Sequence, residues 1–219
     1  MCILGGYKIQ TVTQIANLLH AYDAGAISVR ALRVYFAALC AVASREAATR
    51  SRAKSNKKGG LTPRFTLSEL SRLTQLPLTS VSRELRALSQ EGLLSFSVSE
   101  IVFTETALDG SSDLCEALCG GRSQARPVPL PRPVLRFLAR CRKSSLLLTM
   151  LCYCVRGLTI ARRGGEVTGK GSVKASWIAD ICGLSLRAVR SGMSAWERPG
   201  ALIRPGPRAS ASWPAPRCR

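Results

Sequence analysis

The chain has 219 residues, of which 32 are lysine or arginine and 13 are acidic, so its net charge is +19. A chain this basic suits a polyanionic partner better than the role of a free-standing metabolic enzyme. Residues 1–119 carry a net charge of +3 and residues 120–219 carry +16. We therefore expect the second half to neutralise more of a phosphate backbone.

The sequence offers no catalytic constellation, since His20 is the one histidine and the carboxylates are scattered. The nine cysteines include no Cys-x-x-Cys pair, and we interpret them as reduced thiols and not as a metal site. We predict no enzyme activity, no cofactor and no metal. The longest apolar run, 146–155, is too short for a bilayer, and 1–6 lack a signal-peptide pattern, so we expect a cytoplasmic protein without a membrane partner.

The first half shows helix signals after a weakly patterned lead-in over 1–27. Apolar residues at helical spacing predict a long helix over 28–52, which a basic loop follows. Thr66 and Glu69 form a capping-box pattern that opens a short helix. Thr79 is then expected to cap a second helix.

This second helix is expected to run to about Glu91, because Gly92 follows it. Residues 93–96 and 101–104 have the apolar character of two short strands joined by a turn. The alternating prolines that precede residue 134 predict an extended polyproline spacer with few residues able to join a core.

The second half repeats the first with an offset of 108 residues. Over 30 aligned positions, 66–95 against 174–203, seven residues are identical, and the core positions keep their apolar character. A helix over about 143–155 and a glycine-rich basic loop over 162–171 come before the repeated segment. An internal repeat of one supersecondary unit is the simplest explanation.

Each unit consists of a helix, a basic loop, a short helix, a tight turn and a second helix. Apolar residues of the second helix in unit 1, Leu78, Val81, Leu85 and Leu88, form its expected core stripe. Polar and basic residues remain on the opposite face in both units. This pattern is typical of a helix-turn-helix, whose second helix enters the major groove of DNA.

The segment from Thr66 to Leu94, TLSELSRLTQLPLTSVSRELRALSQEGLL, resembles bacterial winged helix-turn-helix proteins and is similar to the reading heads of MarR-like regulators. The tandem arrangement resembles plasmid replication initiators. The resemblance implies a mainly α (α+β) fold with two winged helix-turn-helix units in tandem. The expected organisation is a lead-in over 1–27, unit 1 over 28–107, a proline-rich linker over 108–133, unit 2 over 134–205 and a disordered basic tail over 206–219.

The expected partner is double-stranded DNA, bound by the second helices, their flanks and the basic loops. The candidate DNA-binding residues are Thr79, Ser80, Ser82, Arg83, Arg86, Lys57, Lys58, Lys170, Lys174, Arg187, Arg190 and Ser191. Because unit 1 has a complete predicted wing, we expect its arginines to set sequence preference and those of unit 2 to contact phosphates.

Several alternatives stay open at this stage. A replication initiator of a plasmid or mobile element and a transcription regulator are both compatible with the sequence, as is a homodimer. Residues 164–172, GGEVTGKGS, nearly match a phosphate-binding loop, but Gly171 follows Lys170 where Ser or Thr is required, which makes a P-loop nucleotide-binding protein the weaker reading. A basic RNA-binding protein is a third class, with few aromatic residues for base stacking.

Overall fold

The structure, a computed structural model, describes residues 7–54, 66–97, 100–106, 108–119, 127–160, 167–169 and 173–197. The described part is mainly helical, with short antiparallel strand pairs. Among these residues there is no helix of the length and apolarity needed to cross a membrane. The first half contains β1 (Tyr7–Thr11), α1 (Val12–Asp23), α2 (Val29–Lys54), α3 (Leu67–Thr74), α4 (Leu78–Gln90), β2 (Leu94–Phe96) and β3 (Ile101–Phe103).

The expected long helix, short helix, second helix and hairpin of the first half are all present. Thr66 caps α3 by accepting a hydrogen bond from the Glu69 amide at 3.2 Å. The Glu69 carboxylate forms an ion pair with Arg45 of α2 at 2.6 Å, which fastens α3 to α2. The expectation that Thr79 caps the second helix is wrong. α4 begins two residues earlier, with Pro77 as its N-cap, because the fixed φ of proline is already compatible with a helix start.

The second half contains β4 (Pro127–Pro131), α6 (Arg132–Arg140), α7 (Ser144–Gly157), β5 (Leu158–Ile160), β6 (Val167–Gly169), α8 (Ala175–Cys182) and α9 (Leu186–Glu197), preceded by α5 (Ser112–Cys119). The offset of 108 places α8 on α3 and α9 on α4. The turn residue before each second helix is left-handed in both, with φ of 57° at Gln75 and 59° at Gly183. These two residues are also 108 apart, so the repeat extends to the backbone conformation of the turn.

The repeat is longer than the sequence alignment indicates. β1 leads directly into α1, and β4 leads directly into α6, so a strand and a helix open each half. The two opening strands pair with each other antiparallel, with Ile9 opposite Pro129 at the centre. The segment taken for a weakly patterned lead-in is thus a structural part of the first half.

Prolines 127, 129 and 131 do not prevent this pairing. Successive N–H groups of a strand point to opposite edges, so three alternating prolines remove donors from one edge alone. The N–H groups of Val128 and Leu130 remain on the other edge, opposite Gln10 and Lys8 of β1. The expected polyproline spacer is therefore wrong for residues 127–131, which form a paired strand whose residues 128–131 are buried.

The rest of the expected linker is also packed where the structure describes it. Asn17 of α1 is buried, and its amide donates to the Thr106 carbonyl at 2.8 Å. Its side-chain oxygen accepts hydrogen bonds from the Leu108 amide and the Ser111 hydroxyl. α5 then buries Leu118 and two cysteines against α1, α7 and α8. The division of the chain into two units stays a prediction, but these residues join one continuous hydrophobic core.

The core centres on α2, whose residues 31–41 are all buried. α2 packs against α3 and α4 on one side and against α6 of the second half on another. Arg33 is buried within this contact and donates to the Ala139 carbonyl of α6 at 3.2 Å and to the Thr74 carbonyl of α3. One side chain therefore satisfies carbonyls near the C-terminal ends of two helices from different halves.

The segment between α7 and α8 differs from the expected loop. β5 and β6 form an antiparallel hairpin with Thr159 opposite Thr168. Gly169, a glycine of the near-match to a phosphate-binding loop, lies in β6, whereas in that motif the loop leads into the N-terminus of a helix. Lys170 and residues 161–166 lie outside the described part of the chain, as do the expected strand after Gly200 and the basic tail.

Candidate nucleic-acid interface

The exposed face of α4 gathers most of the residues that the sequence assigned to DNA in the first half. Val81, Leu85 and Leu88 are fully buried, which turns the opposite side of the helix outward. An open groove on that side is lined by Thr79, Ser82, Arg83, Arg86, Ala87 and Gln90. Ser80 is half-buried and does not line this groove.

The guanidinium of Arg83 donates to the neighbouring carboxylate of Glu84. Its Nη2 lies 2.9 Å from Oε1 of Glu84, and its side chain is 66% exposed while that of Glu84 is 7% exposed. The other oxygen of Glu84 accepts from the Ser28 hydroxyl at 2.9 Å. Ser28 also accepts from the Ala31 amide at the N-terminus of α2, where the helix dipole favours a nearby negative charge. The guanidinium of Arg83 is therefore largely exposed but already paired with a carboxylate.

Arg86 is exposed one turn further along α4. A short hairpin follows the helix, with Leu94 opposite Phe103. Thr104 donates to the Gly92 carbonyl, which ties the hairpin to the end of α4. Val102 is 52% exposed on this hairpin. The basic groups of this surface therefore come from α4, whereas the hairpin exposes the apolar side chains of Phe96 and Val102.

The second half presents an equivalent helix face. Val189 and Gly192 of α9 are buried against α7, which leaves Arg187, Arg190 and Ser191 exposed. Ser185 caps α9 by accepting from the Ala188 amide at 3.2 Å. The offset places these exposed residues on the same helix positions that face the groove of α4.

The arginines occupy different turns of the two helices. The four equivalent positions hold Thr79, Ser82, Arg83 and Arg86 in α4, and Arg187, Arg190, Ser191 and Ser194 in α9. The arginine pair is therefore four residues nearer the N-terminus in α9. Four residues correspond to about 6 Å along a helix. The two surfaces offer the same donor types in a different order.

A leucine that the sequence assigned to the core is exposed instead. Leu78, the first residue of α4, is 48% exposed, and Leu186, the first residue of α9, is 38% exposed. The two are identical and 108 residues apart. Leu78 is the first residue of the helix and follows the turn directly, so it lies at the edge of the core and not within it. Each candidate helix thus carries an accessible isobutyl group beside its polar face.

The remaining candidate residues are more dispersed. Lys174 is exposed at the N-cap position of α8, on a different helix from the arginines. Lys57, Lys58 and Lys170 lie outside the described residues. Sequence reasoning missed Gln90, which lines the groove of α4. The signal was available, because Gln90 continues the series of 79, 83 and 86 at helical spacing.

Comparison with known proteins does not identify a family or function for this chain. No protein-family model matches this chain, and no curated protein or solved structure matches it significantly. In the described part of the chain, no three His, Cys, Asp or Glu side chains come together in an arrangement that could hold a metal ion.

Proposed function

We propose that the chain is a double-stranded DNA-binding protein in which two winged helix-turn-helix units act together. The observation that carries this proposal is the repeated helix face. α4 and α9 each follow a left-handed turn residue, bury an equivalent valine, and expose two arginines with neighbouring hydroxyl side chains. An exposed basic and hydroxyl-rich helix after a tight turn suits the major groove, where arginine reads guanine and hydroxyls contact phosphates and bases.

The charge distribution supports the same partner. Net charges of +3 in residues 1–119 and +16 in residues 120–219 provide a field that attracts a polyanion. The hairpin β2–β3 follows α4 in the position of a wing. The hairpin β5–β6 provides another extended element in the strongly basic half.

Two reading helices in one chain favour a protein that binds long or repeated sites. α4 packs against α2 and α3, whereas α9 packs against α7 and α8, and all of these helices contribute to one continuous hydrophobic core. This arrangement suits a replication initiator of a plasmid or mobile element, which must bind repeated sites next to each other. A transcription regulator is the second candidate within the same proposal. A footprint on the DNA that flanks the gene separates the two: repeated sites at an origin favour the initiator, and a single promoter site favours the regulator.

Binding to a labelled duplex of mixed sequence, measured by fluorescence anisotropy across a salt series, tests the proposal. We expect the logarithm of affinity to fall linearly with the logarithm of salt concentration, with a slope of about −4 or steeper. Arg86→Ala with Arg187→Ala is expected to weaken binding by about tenfold or more, since each charged contact contributes on the order of 1 kcal/mol. The matched control, Arg30→Ala with Arg156→Ala, removes the same charge from α2 and α7.

An equal loss in both double variants would show that net charge, and not the two helix faces, binds DNA. Absence of duplex binding at low salt by folded protein would contradict the proposal altogether. Preference for single-stranded RNA of the same sequence would support the RNA-binding alternative, and ATP hydrolysis would support the nucleotide-binding one.

A further inference from the structure

Two cysteines from neighbouring helices meet at the junction of α7 and α8. The Sγ atoms of Cys152 and Cys182 lie 3.2 Å apart, within hydrogen-bond distance for thiols. The residues are 30 positions apart in the chain, so the helix packing and not local sequence brings them together. Their spacing does not match a metal or redox motif, so the sequence did not predict that these two thiols meet.

The two thiols differ in exposure. Cys152 is fully buried, whereas Cys182 is partly exposed. Cys182 lines a cavity of about 250 Å³ between α1, α5, α7 and α8, together with Leu148, His20, Asp23 and Asp113. A small neutral molecule such as hydrogen peroxide can enter a cavity of this volume, and the Cys182 sulfur is the one that it meets.

We propose that Cys152 and Cys182 are a peroxide-oxidisable thiol pair that closes an intramolecular disulfide between α7 and α8. The proposal stands apart from DNA binding and would hold if the chain had another partner. It assigns Cys182 as the thiol attacked by peroxide and Cys152 as the thiol that resolves the product.

The hydrogen bond between the two thiols favours different roles for Cys182 and Cys152. Either thiol can donate in this contact; when Cys182 is ionised, the Cys152 thiol donates to it, which lowers the pKa of Cys182 and raises that of Cys152 well above its usual range, with burial adding to the rise. The neighbouring Asp23 and partial burial oppose the lowering at Cys182 but do not reverse it. The thiolate is the reactive form of cysteine, so Cys182 is favoured as the initial nucleophile.

The chemistry balances with peroxide as the oxidant. The Cys182 thiol first releases its proton; the thiolate attacks one peroxide oxygen, an S–O bond forms, the O–O bond breaks, and the departing hydroxide takes up the released proton to give water. The Cys152 sulfur then attacks the sulfenic sulfur of Cys182. The S–S bond forms, the S–O bond breaks, and the leaving hydroxide accepts the Cys152 proton as a second water. The sulfurs need to approach by about 1 Å to reach bonding distance.

Cys182 is the last residue of α8, directly before the turn at Gly183 that leads to α9. The same helix α7 touches α9, where Thr149 and Leu146 pack against Gly192. A bond between Cys152 and Cys182 therefore fixes the end of α8 to the helix that also supports α9.

Treatment of the folded full-length protein with hydrogen peroxide, followed by alkylation and digestion, tests the proposal. Trypsin releases Cys152 and Cys154 in the peptide 144–156 and Cys182 in the peptide 175–187. We expect these two peptides to appear cross-linked, with the loss of two hydrogen atoms, and to separate on reduction. Chymotryptic cleavage after Tyr153 assigns the bond to Cys152 or Cys154.

Cys154→Ser is the matched control, since this thiol lies on the same helix, is fully buried and has its pKa raised to about 12 by burial. It should leave the cross-link unchanged, whereas Cys152→Ser and Cys182→Ser should abolish it and Cys152→Ser should accumulate a trappable sulfenic acid at Cys182. Circular dichroism confirms that each variant is folded. A wild-type protein that gives no cross-link, or one through Cys154, overturns the proposal.

Discussion

Arg33 of α2 donates a hydrogen bond from Nε to the carbonyl oxygen of Ala139 in α6, at 3.2 Å. The same guanidinium donates to the Thr74 carbonyl at the end of α3. Burial and the nearby Arg142 lower the pKa of Arg33, yet an arginine side chain remains charged in proteins. A buried cation thus sits at the negative ends of two helices and joins the halves of the molecule.

Arg33→Met keeps most of the side-chain volume but removes these donors. We expect the free energy of unfolding to fall by about 1–3 kcal/mol, because two buried carbonyls lose a partner. Urea unfolding followed by circular dichroism measures the change. Arg30→Met, on an exposed position of α2, should stay within about 0.5 kcal/mol of the wild type. Equal midpoints for wild type and Arg33→Met would show that this contact does not stabilise the fold.

The pairing of β1 with β4 gives a matched pair of proline variants. The N–H of Lys8 faces Leu130 in a hydrogen-bonded pair, whereas the N–H of Ile9, opposite Pro129, points to the other edge. Lys8→Pro should therefore lower the free energy of unfolding by about 2 kcal/mol or more, while Ile9→Pro should cost less than half of that. Equal losses would mean that the ladder does not run through Lys8. Hydrogen exchange provides a second measurement, since the amides of Val128 and Leu130 should exchange slowly.

The pairing of β1 with β4 was not predictable from local sequence. Alternating prolines indicate an extended backbone, and the backbone is indeed extended over Pro127–Pro131. Whether an extended segment is solvated or paired depends on a partner, here β1, which lies more than a hundred residues away. The packing of Thr106, Leu108 and Ser111 on α1 was also not predictable from the sequence. It depends on three hydrogen bonds to the buried side chain of Asn17, and such contacts leave no periodic pattern in the sequence.

The elements with strong local signals were predictable. Apolar spacing located α2, α4 and α7 to within a few residues, and the offset of 108 located α8 and α9. Helix starts were less certain, because Pro77 and Thr79 are both plausible near an N-terminus. The outward position of Leu78 was missed since helical periodicity assigns a face but not the point where the core ends.

The arginine pairs lead to a prediction about specificity. The helix positions favour the opposite of the sequence-based expectation, because residues near the N-terminus of a recognition helix contact base edges. Arg187→Ala with Arg190→Ala should relax sequence preference by about 1–3 kcal/mol for each arginine that binds a guanine. Arg83→Ala with Arg86→Ala should weaken binding to all sequences and lower the salt slope. Competition against random duplex compares the two, and the reverse outcome would restore the first expectation.

A substitution at Glu84 is expected to strengthen the proposed DNA binding. Nη2 of Arg83 forms an ion pair with Oε1 of this carboxylate at 2.9 Å, which weakens the attraction of the guanidinium to phosphate. Glu84→Gln removes the charge but keeps an oxygen that can accept from Ser28. We expect duplex affinity to rise by about two- to fivefold, since a partly exposed pair contributes up to about 1 kcal/mol. Glu91→Gln, an exposed change at the end of α4, removes the same charge without touching the pair. An equal gain in both variants would assign the effect to net charge.

Leu78 and Leu186 lead to a test at the level of single methyl groups. Each is accessible at the start of a candidate recognition helix, beside hydroxyl or guanidinium groups at positions four residues on, Ser82 and Arg190. Apolar side chains in the major groove contact the C5-methyl group of thymine. Once a site is known, replacing its thymines one at a time with deoxyuridine removes that methyl and leaves the base pairing intact.

We expect wild-type affinity to fall by about three- to fivefold at one or two positions, as the loss of one buried methyl costs about 0.8 kcal/mol. Leu78→Ala and Leu186→Ala should each become insensitive to the substitution at one of these positions and remain sensitive at the other. Leu67→Ala, an exposed leucine on α3, is the matched control and should respond as the wild type does. If every variant responds to deoxyuridine in the same way, the two leucines shield the turn before each helix and do not read thymine.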